Sequence, residues 1–163
     1  MDCIEALKTR RSVRVYTGEP VSRETIEDIV DCGRLAATAN NGQPWEFVVV
    51  TDRAMLNAIG REAEYGGFIA RAAFCVVVFC KECKYYLEDG SAASQNMLVA
   101  ARARGIGGCW VAGDKKAHSV TIAKMLGAPA EYKLVSLLSF GQTSETPKKA
   151  KRALAEVLRW EKF

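Results

Sequence analysis

Basic residues gather at the two ends of the chain. Lys8, Arg10, Arg11 and Arg14 stand near its beginning, and Lys148, Lys149, Lys151, Arg152, Arg159 and Lys162 near its end, so ten of 23 basic residues lie at the termini. A fold that joined these ends would build a site for a phosphate-bearing ligand, because a phosphate dianion in a partly desolvated place requires two or more cations. The plainer alternative is a pair of solvated faces. The net charge of +4 is too mild to call for a nucleic-acid partner.

Six cysteines (3, 32, 75, 80, 83 and 109) form the second group with chemical potential. Cys75-x4-Cys80-x2-Cys83, with Cys109 beyond, has the spacing of a plant-type iron–sulfur set. The residues between Cys75 and Cys80 are VVVF, a β-branched and aromatic run that predicts a buried strand. Five steps along a strand would hold the two sulfurs about 16 Å apart on opposite faces. Cys80-x-x-Cys83 could be a thiol redox pair, yet the helix N-terminus that lowers a thiol pKa is missing, which favours a structural role. His118 is the only histidine, so zinc ligation lacks partners and a hydrolase triad would rest on one residue. It is expected to start or cap a helix. No metal site and no catalytic acid or base is expected.

The elements that must position these residues follow from periodicity and punctuation. A short helix is expected over Cys3–Thr9. Ser22 reads as the N-cap of a helix over 23–37, broken by Asn40-Asn41-Gly42. A strand follows at Glu46–Thr51, and Asp52 caps a helix of about ten residues ending near Gly60. After Tyr65-Gly66-Gly67 comes a strand at Ala73–Cys80. Asp89 is expected to cap a helix over 90–104, with Ala92, Asn96, Val99, Ala100 and Ala103 on one stripe and Gly105 at its stop. Cys109–Ala112 is a strand, 118–126 a helix stopped by Gly127 and Pro129, Lys133–Phe140 a strand, and 148–160 a final helix.

The 163 residues suit one domain, 1–163, with no repeat. The order ααβαβαβαβα fits an α+β or α/β arrangement in three layers. Gly105-Ile-Gly107-Gly108 precedes a strand instead of following one, which argues against a dinucleotide fingerprint, and no Walker A run is present. The longest uncharged apolar stretch, Ala72–Cys80, is about half a membrane span, and the first residues lack an apolar signal core. A soluble, cytoplasmic protein with no membrane partner is expected.

Five segments together resemble the nitroreductase family of flavin enzymes. They are Arg10-Arg11-Ser12-Val13-Arg14-Val15-Tyr16; Ala36-Ala37-Thr38-Ala39-Asn40-Asn41-Gly42-Gln43-Pro44-Trp45; Asp89 with Ala93-Ser94-Gln95-Asn96-Met97-Leu98; Gly105-Ile106-Gly107-Gly108-Cys109-Trp110-Val111; and Phe140-Gly141 with Pro147-Lys148-Lys149-Ala150-Lys151-Arg152. The resemblance implies a three-layer α/β/α fold of class α+β, with a mainly antiparallel central sheet flanked by helices, in an obligate homodimer. It also implies FMN as cofactor, NADH or NADPH as electron donor, and an electron-poor small molecule (nitroaromatic, quinone or similar) as acceptor, in ping-pong order.

Carried over by position, the resemblance implies that Arg10, Ser12, Lys149 and Lys151 hold the FMN phosphate. Arg14 is implied toward the ribityl chain or the N1/O2 edge, and Arg11 beside the site as a neighbour or a structural partner. Thr38, Ala39 and Asn41 would reach the flavin from the second subunit. Trp110, Val111, Ala112 and Gly113 would lie along the isoalloxazine, with the Ala112 N–H toward N5. The alanine-rich helix after Asp89 would pair the subunits. Ala37 stands where the family usually has Pro, Lys151 where it often has Arg, and the stretch between Gly60 and Ala73 is compact, which implies a more open site. A flavin-binding redox module without nicotinamide turnover would use the same residues.

Overall fold

The computed structural model covers residues 1–163 and orders the chain as α1 (Cys3–Thr9), α2 (Arg23–Arg34), β1 (Trp45–Val50), α3 (Arg53–Glu62), β2 (Phe74–Lys81), α4 (Tyr86–Ala103), β3 (Gly107–Ala112), α5 (His118–Met125), β4 (Tyr132–Gly141) and α6 (Leu154–Val157). The strands form one antiparallel sheet in the order β1-β2-β4-β3. Strand β2 is buried along nearly its whole length, so its side chains divide by parity between two cores. Phe74, Val76, Val78 and Cys80 face Ile26 and Ile29 of α2 and Ala93, Met97 and Leu98 of α4. Cys75, Val77 and Phe79 face Leu56 and Ile59 of α3 and Ile122 of α5. The result is the expected three layers, α+β in class. Cys75 and Cys80 fall in different cores, as the strand reading required.

Local signals explain most boundaries. Ser22 Oγ accepts the Thr25 N–H, and Asp52 Oδ1 accepts the Met55 N–H at 2.8 Å, so both expected caps close their helices. Gly105 and Gly127 take the left-handed conformation just past α4 and α5, which costs a glycine little. No helix is long and apolar enough to cross a membrane.

Four expectations need correction. Helix α2 stops at Arg34 instead of residue 37, and its C-cap Leu35 has left helical geometry. Helix α4 starts at Tyr86, so Asp89 lies one turn inside it and caps nothing there. Gly90 packs on the sheet side: a Cβ there would come within 2.8 Å of Val135 Cγ2 and 2.9 Å of Cys80 Sγ. The stripe of α4 that enters the core is Gly90, Ala93, Ser94, Met97, Leu98 and Ala101, and Ala92, Asn96 and Val99 stay at least partly exposed. The final helix shrinks to Leu154–Val157. Residues 142–153 run without regular structure because the N-terminal segment takes up their polar groups, and a helix there would crowd four cations within five positions.

Gly90→Ala tests this packing. The gain in helix propensity, about 1 kcal/mol, is outweighed by overpacking of about 1 to 3 kcal/mol against the buried Val135. Urea unfolding is expected to show a net loss of stability with an unchanged slope.

Candidate functional site

Strand β3 is an outer strand of the sheet, and its pairing decides which backbone groups are free. Gly113 N–H donates to Val135 O, and Val111 lies opposite Leu137, so the odd-numbered residues are the hydrogen-bonded positions of the ladder. The N–H and C=O groups of Gly108, Trp110 and Ala112 therefore point away from β4. At Gly108 this edge is met by the N-terminal segment: Ser12 forms a parallel bridge with it, and Val13 N–H donates to Gly108 O at 3.0 Å. Beyond Gly108 the edge lies open as far as Ala112, which is exposed.

The extended 10–14 segment sends its even-numbered side chains to one side. Their common neighbour is Cys109, whose thiol is pushed up by burial and drawn back by Arg14, Ser12 and Arg10. The Arg14 guanidinium lies 5.7 Å from the centre of the Phe68 ring, within cation–π range. Val13 and Tyr16 anchor the segment: both are buried, and the Tyr16 hydroxyl reaches Ser139 Oγ at 2.7 Å and Val13 O at 3.0 Å. Burial raises that phenol well above its usual range, so it serves as a neutral hydrogen-bonding group.

Arg11 faces elsewhere and is structural. Its guanidinium donates to Lys8 O at 3.0 Å, Arg10 O at 2.8 Å and Lys149 O at 3.1 Å. This ties the C-terminal basic stretch to the N-terminal one, 138 residues earlier. Glu145 makes the second tie. Its Oε2 accepts the N–H groups of Arg14 at 2.9 Å and Val15 at 3.0 Å, while Thr143 Oγ1 donates to Val15 O. The two ends are thus joined, which is the condition under which the charge distribution would build a phosphate site. Lys149 and Lys151 sit on the joined strap without regular structure, which rules out the long helix expected over them. No ion pair involves Arg10, Arg11, Arg14, Lys148, Lys149 or Lys151. Glu145 was not legible beforehand: a lone Glu in a Thr/Ser/Pro stretch carries no local signal.

Thr38, Ala39 and Asn41 lie elsewhere. Asp89 holds their loop from α4: Thr38 Oγ1 donates to one carboxylate oxygen at 2.8 Å, and Ala39 N–H to the other at 3.0 Å. Thr38 Oγ1 in turn accepts the Gln43 N–H. Asn40, Asn41 and Gln43 all take positive φ, and the Asn41 carbonyls accept from Gln43 Nε2. This loop leads into Trp45, opposite Cys80, whereas Ser12 joins the sheet at Gly108, opposite Phe140 and through it Phe74. Six strand steps separate those two levels, about 20 Å. One chain does not bring the two sets together.

The remaining expected positions divide by function. Trp110 and Ala112 present their backbone outward, whereas Val111 is buried in the second core with its backbone in the ladder. Gly113 is a packing residue, since a Cβ there would overlap Leu134, and its N–H belongs to Val135. A cavity of about 240 Å³ opens beside the edge, lined by Arg14, Tyr65, Phe68, Trp110, Ala112 and Lys116 among others. Cys80 is set apart from all of this. Burial, then Asp89 and Cys83, push its thiol up to about 12, leaving almost no thiolate near neutrality and arguing against a redox pair with Cys83.

Comparison with known proteins is consistent with this geometry. The family model described as "Nitroreductase family" matches residues 7–82 and 61–142. A protein of Archaeoglobus fulgidus named "Putative NADH dehydrogenase/NAD(P)H nitroreductase" is 36% identical over 147 residues, covering 86% of this chain and 84% of its own. An FMN-dependent nitroreductase of Clostridium difficile superposes with a TM-score of 0.90 at 25% identity, covering 98% of this chain and 99% of its own. A protein from Desulfovibrio desulfuricans, crystallised in complex with FMN, superposes with a TM-score of 0.88 at 29% identity, over 100% of this chain and 98% of its own.

The strap is testable without any ligand. Glu145→Ala removes the acceptor of two backbone amides, each bond to a charged group being worth about 1.5 to 3 kcal/mol. Amide exchange at Arg14 and Val15 is expected to quicken at least tenfold and tryptic cutting at Lys148–Arg152 to rise. Glu145→Gln, which keeps a carbonyl acceptor, should retain most of the protection.

Proposed function

This chain belongs to the nitroreductase family, and on that premise we propose that it is an NAD(P)H-dependent flavin oxidoreductase whose FMN lies along the open edge of β3. The observation that carries the reading is the cluster of cations without carboxylate partners at the joined ends of the chain. Such a cluster is self-repelling, and a phosphate relieves it. Its members suit that ligand: Arg10 and Ser12 on the segment that meets β3 at Gly108, and Lys149 and Lys151 on the strap that Arg11 ties to that segment. Lysine in place of arginine on the strap gives point charges, so bidentate contact rests on Arg10.

The other end of the edge fits a flavin ring. The outward N–H of Ala112 is a donor for a ring nitrogen, and Arg14, held beside Phe68, supplies positive charge near the same cavity. FMN, when bound, supplies the hydride chemistry itself. The protein's share is to orient, to donate from Ala112 and to place a cation where negative charge gathers on reduction. No side-chain acid or base is required of it. Nicotinamide donor and electron-poor acceptor would use the open cavity in turn, giving ping-pong kinetics.

A homodimer completes this site. The loop of Thr38–Asn41 enters the sheet at Trp45, about 20 Å along it from the level of Ser12, so a site using both needs one set from each of two subunits. Exposed apolar residues concentrate where a second copy could cover them: Met1, Ile4 and Leu7 near the start, and Leu154, Val157 and Trp160 near the end.

The direct test is the near-ultraviolet and visible spectrum of the purified protein before and after anaerobic NADH and NADPH. Flavin bands that bleach are expected, and the faster donor names the physiological class. Bands that persist would replace turnover by flavin binding alone, and a protein that takes up no FMN would overturn the reading. Arg10→Ala is expected to weaken FMN binding about 10- to 100-fold in a fluorescence titration, the loss of a charged hydrogen bond to phosphate. Sedimentation with FMN should give the mass of a dimer.

A further inference from the structure

His118, the only histidine, is buried between the open edge of β3 and the loop that faces it. The Glu64 N–H donates to its Nδ1 at 3.1 Å, and its Nε2 lies 3.0 Å from Ala112 O. A nitrogen that accepts from an N–H carries a lone pair, so the ring proton sits on Nε2 and is donated to Ala112 O. Both bonds matter because of where they fall. Ala112 is the last residue of an edge strand, and its N–H and C=O point the same way, off the sheet. The inward side is pinned by Gly113 N–H and Asp114 N–H on Val135 O. On the outward side His118 is what grips the carbonyl.

The other bond fixes the opposite wall. Glu64 begins the loop that carries Tyr65, in positive φ, and Phe68, beside Arg14. The Glu64 carboxylate meets Lys116 Nζ at 3.3 Å, tying the same loop to the turn before α5 a second time. One imidazole therefore bridges, from behind, Glu64 and Ala112, which line opposite walls of the cavity that Tyr65, Phe68 and Trp110 also line.

We infer that His118 is a positioning residue: by bonding Ala112 O and Glu64 N–H with one ring, it sets the direction of the outward Ala112 N–H and the spacing of the two cavity walls. The inference rests on the FMN reading, in which that N–H meets the flavin ring. His118 touches neither flavin nor substrate in this scheme and acts through Ala112.

Two substitutions separate its bonds. The His118→Gln amide can place a donor where Nε2 stood and keep the Ala112 bond. The His118→Asn amide reaches only the Nδ1 position, keeping the Glu64 bond and losing Ala112. Both variants should take up FMN with the wild-type affinity, measured by flavin fluorescence, because the phosphate contacts lie at the far end of β3. His118→Gln should then keep the wild-type flavin spectrum and the rate of anaerobic bleaching at saturating nicotinamide donor, while loss of the Glu64 bond that spaces the walls should raise the donor concentration that half-saturates bleaching. His118→Asn should shift the flavin band and slow bleaching by about tenfold or more, the size of effect that follows from a misplaced group. A wild-type spectrum and rate in folded His118→Asn would overturn the inference. So would equal impairment in both variants that tracks their thermal stability, since that is a purely structural role. If neither variant folds, the 15N shifts of the single imidazole in the wild-type protein decide: protonation at Nε2 supports the inference and protonation at Nδ1 overturns it. A wild-type protein that takes up no FMN overturns the cofactor reading and this inference together.

Discussion

The open side of β3 is the constraint around which the molecule is arranged. An outer strand with free amides is ordinarily a liability, inviting another chain to pair with it. Here the edge is rationed: Ser12 and Val13 cover Gly108, His118 takes the carbonyl of Ala112, and the stretch between is left clear. Crowding cations at one end of that edge adds a second strain, since like charges repel in the absence of a ligand. The clamps that join the two ends form no ion pair with these cations. Arg11 spends its guanidinium on three carbonyls, and Glu145 spends its carboxylate on two backbone amides. Arg10, Arg14, Lys149 and Lys151 are left without an ion-pair partner.

The two cores serve this arrangement by fixing distance. Helix α4 has 18 residues, about 27 Å of rod, and it begins beside the Thr38 loop and ends beside Gly105 and Ile106, next to the N-terminal segment. Small residues let it lie close. At Gly33 of α2 a Cβ would meet Met97 Cγ at 2.7 Å, and Gly90 nests against β2 and β4. A rod packed this tightly cannot slide, so the spacing between Asp89 and the cation cluster is a property of the core.

What the sequence made legible was whatever depends on near neighbours. Ser22 and Asp52 announce their helices because a cap needs only the next three residues, and the VVVF run announces β2 because burial on both faces demands it. The resemblance supplied the family and with it a layered antiparallel fold. Misreadings arose where a distant partner overrides a local sign. Asp89 has the look of an N-cap, yet its carboxylate belongs to a loop 50 residues away. Residues 148–160 suggest a helix until Arg11 and Glu145 claim their neighbourhood. Gly113 belongs to a segment that resembles a cofactor contact, although the bulk of Leu134 already dictates a glycine there.

In the dimeric site proposed above, the separation of Ser12 from Thr38 within one chain would have a genetic corollary. A chain impaired only in its cation cluster would still offer a sound loop to its neighbour, and a chain impaired only in its loop would still offer a sound cluster. Paired in one such dimer, they would assemble one intact centre and one doubly damaged one. Two inactive alleles of this kind would complement each other when expressed together, whereas two alleles damaged at the same end would not.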